Sequence, residues 1–305
     1  MSDIAEPLDL ADGLHIFSAT PGEVRFSYSR PEDKFWKRFA IRSIESLTGQ
    51  PMLERLYQGW AANPPHGENI FAAALRLMQV RIVTNEEGWA RAPKEGPLLI
   101  ISNHPFGVVD GLAIMYMALN LRPDVKIMVH SLLCQPPEAQ DHLLPVDFSG
   151  TAEARATSVA TRRRTVDWLR RGHCVVIFPA GGVATAQKPL SGVAVDGAWH
   201  EFVARLARIS ELKILPVFFH GQNSRVFQLA SHVNYALRIA LLFRESVRRM
   251  GGSIAATVGE VIDPETLPHR EGRRAVMKHL RRATYALGKQ DGEAEFLWPK
   301  HISWD

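Results

Sequence analysis

Apolar positions change their period once along the chain. Between 34 and 79 they recur every three or four residues. Phe35, Phe39, Ile41, Ile44 and Leu47 fall on one side of a stretch whose Lys37, Arg38 and Arg42 lie elsewhere; Met52, Leu53, Leu56, Tyr57 and Trp60 mark the next. This spacing predicts amphipathic helices over 34–47, 51–62 and 70–79. From residue 98 onward the period gives way to short unbroken apolar runs. Those at 98–102, 125–129, 174–178, 213–219 and 254–262 predict buried strands, and helical stretches over 111–121, 152–171, 201–209 and 231–250 separate them. Alternation of this kind predicts an α/β fold with a mostly parallel central sheet flanked by helices. Residues 1–31 are polar and punctuated by Pro and Gly, which predicts an irregular arm. The economical division is an N-terminal arm and helical extension over 1–85, followed by one α/β domain over 86–305.

Composition narrows the picture modestly. With 305 residues and 46% hydrophobic content the chain can bury a sizeable core. Lys and Arg number 36 against 32 Asp and Glu, a net charge of +4 that suits an acidic partner or an anionic membrane surface without demanding nucleic acid. Only Cys134 and Cys174 occur, so a cysteine-built metal site and a disulfide framework are excluded, and a reducing cytoplasm is expected. Residues 1–12 lack the basic and apolar regions of a signal peptide, and no apolar run reaches the ~18 residues of a membrane span. Any membrane contact is expected to be peripheral. The segment 244–282 holds nine Lys/Arg against five Asp/Glu, with Arg273, Arg274, Lys278, Arg281 and Arg282 on a short predicted helix. It reads as a solvated face, or as a dock for an acidic carrier or lipid headgroups.

Candidate chemistry concentrates at strand ends. The run L-L-I-I-S-N-H-P-F-G-V-V-D-G-L over 98–112 places His104 and Asp110 on the loop and first helical turn after a strand, where open α/β sheets hold their ligands. These residues are a general base and its carboxylate partner, or an exposed histidine and a helix-capping aspartate. The block C-V-V-I-F-P-A-G-G-V over 174–183 ends in a turn poor in side chains, whose N–H groups could bind an anion or oxyanion. The run I-L-P-V-F-F-H-G-Q-N-S-R over 214–225 ends in a loop rich in donors, and L-L-P-V-D-F-S-G occupies 143–150. There is no G-x-S-x-G elbow, no phosphate-binding glycine loop and no H-E-x-x-H helix, while His130, His142 and His220 stand alone.

In this order and spacing, the four blocks resemble the glycerolipid acyltransferases, and more closely the bacterial lysophospholipid acyltransferase branch that includes enzymes acylating lyso-ornithine lipid. The resemblance covers roughly residues 35–262. It implies that His104 takes the proton of an acceptor hydroxyl attacking an acyl thioester and that Asp110 orients the imidazole. It further implies that Asn103, Gly107, Pro179, Gly181 and Gly182 line the substrate site, with Asn223, Ser224 and Arg225 positioning acceptor and oxyanion. The expected donor is acyl-CoA or acyl carrier protein as co-substrate, with no cofactor, and the expected acceptor is a lysolipid at an anionic membrane surface on the cytoplasmic side. The chain departs from the family pattern at three points. Pro105 to Val109 separate His104 from Asp110, one residue more than the commonest spacing. Ala180 and Val183 replace the Glu and Arg of the third block, and Phe148 replaces an Arg of the second. Arg225 and Lys188 are candidates to supply the missing positive charge. A lipid-binding protein without transfer activity, or an acyl-thioesterase, would share these features.

Overall fold

A computed structural model describes Val24, Phe35 and residues 48–147 and 151–299. The expected helix over 34–47 therefore lies outside the described residues, Phe35 excepted, as do nearly all of the expected arm and Phe148. The longest apolar runs form the middle of the sheet. β1 (Arg81–Thr84), β2 (Leu98–Ser102), β3 (Val125–His130), β4 (Leu143–Val146), β5 (Cys174–Ile177), β8 (Lys213–His220) and β9 (Ser253–Val258) make one sheet in the order β1-β9-β8-β2-β5-β3-β4. β8, β2, β5, β3 and β4 run parallel; β9 is antiparallel to β8 and carries β1 with it.

All five residues of β2 are buried, because both faces of the sheet are covered. Leu98 and Ile100 join Val176, Leu215 and Val217 in a core under α4 (Val108–Leu121). Leu99 and Ile101 join Val175, Ile177 and Ile214 in a second core. That core is closed by Leu280 and Tyr285 of α9 (Arg273–Ala286) and by α6 (Phe202–Leu206). Burying each such side chain contributes about 1.5–3 kcal/mol.

The N-terminal helices α1 (Gln50–Ala61) and α2 (Ile70–Leu77) precede β1, and α3 (Glu86–Ala90) follows it. Phe71 and Leu75 of α2 pack into the first core. The edge strand β1 thus belongs to the sheet, although the expected division at residue 85 grouped it with the helical extension. α5 (Ala152–Arg170) lies between β4 and β5. An antiparallel hairpin, β6 (Thr185–Lys188) and β7 (Ser191–Val195), stands outside the main sheet and was not expected.

The helix expected over 231–250 is two helices, α7 (Arg225–Val233) and α8 (Tyr235–Arg248). They divide at Asn234, whose backbone is extended and whose side chain accepts the Leu237 N–H at 3.1 Å. Two connecting helices return the chain to the end of the sheet where β8 left it, which fits the reversed direction of β9. Within the basic run, Arg281 is buried and donates to the carbonyls of Asp196, Gly197, Gly292 and Ala294. Its neighbours Arg273 and Arg274 face Glu201, and Lys278 and Arg282 face Glu293. Among the described residues no helix is long and apolar enough to cross a membrane.

Candidate active site

The five parallel strands end on one edge of the sheet, and the expected chemistry gathers there. Asn103 follows β2 directly. Its amide donates to the Phe219 carbonyl at 2.9 Å and accepts from the Phe219 N–H at 2.7 Å, clamping β2 to β8. Both ends of the side chain are thus engaged by backbone.

His104 is held on three sides. Its N–H donates to Asp196 Oδ1 at 3.1 Å, its carbonyl accepts from the Ala184 N–H at 2.7 Å, and its ring stacks on Phe178 with centroids 4.0 Å apart. Gly107 then turns the chain at φ 86°, ψ −107°, a conformation that suits glycine alone. A Cβ there would lie 2.9 Å from Leu242 Cδ2 and 3.2 Å from Val183 Cγ2.

Asp110 stands in the first turn of α4 and is fully buried. Its Oδ2 accepts from the Phe106 N–H at 2.8 Å and its Oδ1 from the Gly111 N–H at 2.9 Å. His104 Nδ1 approaches Asp110 Oδ1 at 3.1 Å, off the line of a good N–H···O bond. Such bonds commonly tighten only when substrate binds. The longer loop between the two residues still brings them together.

An apolar cavity of about 790 Å³ opens beside the imidazole. His104, Gly107, Pro179, Gly181 and Gly182 line it. Met115 of α4, Trp60 of α1, Phe71 and Ala74 of α2 and Leu242 of α8 build its walls. The other expected residues lie elsewhere. Asn223 is buried beneath the loop, its Nδ2 donating to the Phe106 carbonyl at 3.4 Å. Ser224 caps α7 and donates to Glu245 Oε1 at 2.6 Å. Arg225 is exposed and donates to the Gly192 carbonyl at 2.9 Å, and neither it nor Lys188 lines the cavity. None of these four positions is among the residues that line the cavity.

Sequence reasoning also missed residues that matter here. Asp196 at the foot of the hairpin accepts from the His104 backbone and from Trp199 Nε1 at 2.9 Å, while its own N–H donates to the Tyr285 hydroxyl at 2.8 Å. Burial raises the pKa of its carboxyl above the ordinary value, against the opposing pull of Trp199 and Arg281. No spacing pattern marks it; a lone carboxylate after a short glycine-containing strand is a faint signal. Arg155, Arg162 and His200 line the cavity as well. Protein atoms crowding the His200 imidazole, and then the Arg162 guanidinium, lower its pKa although the residue opens to solvent.

A buried carboxylate facing a histidine at the mouth of an apolar cavity, on the ligand edge of a mostly parallel sheet, defines an α/β protein built around a His–Asp site. The family model described as Acyltransferase matches residues 32–289, and the chain belongs to that family, as its four blocks led us to expect. It is similar to lyso-glycine lipid O-acyltransferases of Phocaeicola vulgatus and Bacteroides thetaiotaomicron. The first is 21% identical over 240 residues, covering 76% of this chain and 82% of the relative. The second is 24% identical over 229 residues, covering 72% and 80%. Among solved structures it is similar to the 1-acyl-sn-glycerophosphate acyltransferase PlsC of Thermotoga maritima, with TM-score 0.45 and 14% identity over 84% of this chain and 88% of that one.

Proposed function

We propose that the protein transfers a fatty acyl group from a thioester donor to the hydroxyl of a lysolipid acceptor, with His104 as general base. The observation that carries this reading is the His104–Asp110 contact at 3.1 Å on the rim of the 790 Å³ apolar cavity. Asp110 accepts a hydrogen bond from Nδ1–H, which leaves the Nε2 lone pair free to take a proton from the acceptor hydroxyl. The hydroxyl oxygen then attacks the thioester carbonyl. The C–O bond forms, the C–S bond breaks, and the imidazolium returns its proton to the leaving thiolate. No enzyme nucleophile and no acyl-enzyme are required. Acyl-CoA or acyl carrier protein serves as donor, and the cavity walls supplied by α1, α2, α4 and α8 receive the acyl chain.

The acceptor is a lysolipid of the kind named for the two curated relatives, lyso-glycine lipid, or a related lyso-phospholipid or lyso-ornithine lipid. The work takes place at the cytoplasmic face of a membrane. Exposed Leu190 and Val193 on the hairpin, with Val226, Leu229 and Val233 along α7, and the net charge of +4 support contact with an anionic bilayer.

The test is thiol release from acyl-CoA and acyl carrier protein with each lysolipid offered separately, for wild type and His104→Ala. Acceptor-dependent release abolished by His104→Ala is the expected result. Release that needs no acceptor identifies a thioesterase, and no release from folded protein with any combination rejects transfer.

A further inference from the structure

The groups with which the family pattern would meet an anionic acceptor are missing. Ala180 and Val183 stand in the third block, and Arg225 faces Gly192 outside the cavity. Arginines nevertheless line the cavity on another wall. Arg155 and Arg162 stand two turns apart on α5, which puts them on one face of the helix, and both line the cavity. Arg162 lies 5.8 Å from the centre of the Phe202 ring, and among the described residues no carboxylate pairs with it. Asp147, just beyond β4, is the carboxylate on the same wall, and both it and Arg155 already have partners.

This wall connects to the His104 end of the cavity through His200. The His200 N–H donates to the Pro179 carbonyl at 2.9 Å, and Pro179 follows Phe178, on which the His104 ring stacks. The geometry points to an anion site at the cavity mouth, in which Arg162, beside His200, receives the carboxylate or phosphate oxygens of a substrate while the acceptor hydroxyl lies at His104. A guanidinium resting on an aromatic face keeps its planar fork free for two parallel N–H···O bonds, which a lysine cannot reproduce. The inference rests on the acyl-transfer reading. Two anions could reach this mouth, the acceptor headgroup and the phosphates of the donor's carrier.

Steady-state transfer by wild type, Arg162→Gln, Arg162→Lys and Arg163→Gln separates them. Arg163 is exposed on the same helix and does not line the cavity, so its variant controls for charge and folding. Each substrate is varied with the other saturating, using an acceptor with an anionic headgroup and a neutral monoacylglycerol. Arg162→Gln is expected to raise KM for the anionic acceptor about ten- to hundredfold, leaving kcat within about threefold, because a charge-assisted bond is lost. Arg162→Lys should recover part of that loss, and the neutral acceptor should be insensitive. A rise confined to the donor's KM supports the site and assigns it to the carrier's phosphates. Unchanged KM for both substrates, or an equal rise with the neutral acceptor, overturns the site while the transfer reading stands. A wild-type protein that transfers nothing overturns both.

Discussion

Replacing Asp110 with Asn tests the site through a tautomer. The carboxylate accepts from the Phe106 N–H at 2.8 Å on Oδ2 and from the Gly111 N–H at 2.9 Å on Oδ1, and Oδ1 also faces His104 Nδ1 at 3.1 Å. Asparagine offers one acceptor oxygen and a donor amide. If its oxygen stays with Gly111 and His104, the NH2 faces the buried Phe106 N–H, a donor against a donor. If the oxygen turns to Phe106, the NH2 faces Gly111 and His104. Gly111 then keeps the Gly107 carbonyl at 3.4 Å as a fallback, so this second arrangement is the cheaper one. In it the amide donates to Nδ1, and the imidazole proton moves to Nε2, where a lone pair is needed. We expect kcat to fall about a thousand- to ten-thousandfold, roughly 4–5.5 kcal/mol of transition-state stabilisation. The weakened Gly111 contact and the lost charge at the helix start should lower stability by about 1–3 kcal/mol. Acceptor-dependent thiol release and a thermal melt read the two effects separately. Asp110→Ala removes the carboxylate but imposes no tautomer, so it should be no slower than Asp110→Asn. Retention of kcat within about tenfold of wild type in Asp110→Asn would show that His104 does not depend on a carboxylate-fixed tautomer and refute the assignment.

Gly107→Ala should destabilise the protein by about 1–3 kcal/mol through its positive φ, and slow transfer by moving the His104 loop. Adding Leu242→Ala removes the 2.9 Å side-chain contact but should not restore the melting temperature, and full restoration would argue that contact rather than backbone strain is the cause. Ala74→Phe places a ring in the cavity wall and should shift donor preference toward shorter acyl chains, read by competing donors of graded length; an unchanged profile would put the acyl chain elsewhere. At the opposite edge of the sheet, burial works against ionisation of Asp124, but Arg122 and His173 hold its carboxyl below the ordinary range. A depressed folded value means stability that is present above the unfolded pKa of about 3.9 and lost as pH falls through the folded one. Asp124→Asn should therefore lose about 1–3 kcal/mol against wild type in urea titrations at neutral pH, with the gap closing below about pH 4. A gap that persists at lower pH would contradict the linkage.

The parts of the fold legible in the sequence are those whose burial is uniform. β2, β5 and β8 read as unbroken apolar runs because helices cover both faces of a parallel sheet. β1 alternates in burial over four residues at an edge, β4 is four residues containing Pro145, and the hairpin strands are polar or glycine-containing, so none of these announces itself. At the site, His104, Gly107, Asp110 and the Gly181–Gly182 turn were legible because a helix start after a buried strand fixes where they fall. Asn103, Asn223, Ser224 and Arg225 share the composition of a binding loop, but composition does not say which way a side chain turns. Asn103 holds strand ends, Asn223 the His104 loop and Ser224 a helix cap, and Arg225 reaches the hairpin. Asp196 and Arg162 escaped notice because each lies outside every block and only the fold brings it to the cavity or to His104.

The altered third block shows how the fold accommodates a lost charge. Where the family pattern has an arginine, Val183 packs with Phe227, Leu241 and Leu242. The loop is then secured from behind by Arg238 of α8, which donates to the Val183 carbonyl, to Thr185 Oγ1 at 2.6 Å and to Ser231 Oγ at 2.6 Å. Burial lowers the pKa of this guanidinium to about 9, and it rests against the rings of Phe227 and Trp298. It therefore remains protonated at neutral pH, yet its donors point at backbone and hydroxyl oxygens behind the loop. Its charge is unavailable to a substrate. The wall of the cavity at Val183 is apolar as a result, and the cations that line the cavity belong to α5 on another wall. An acceptor whose anionic group met the third block would find no partner here. One whose anionic group reaches α5 would meet Arg162 while its hydroxyl lies at His104, so the same substitution that weakens one headgroup geometry favours another.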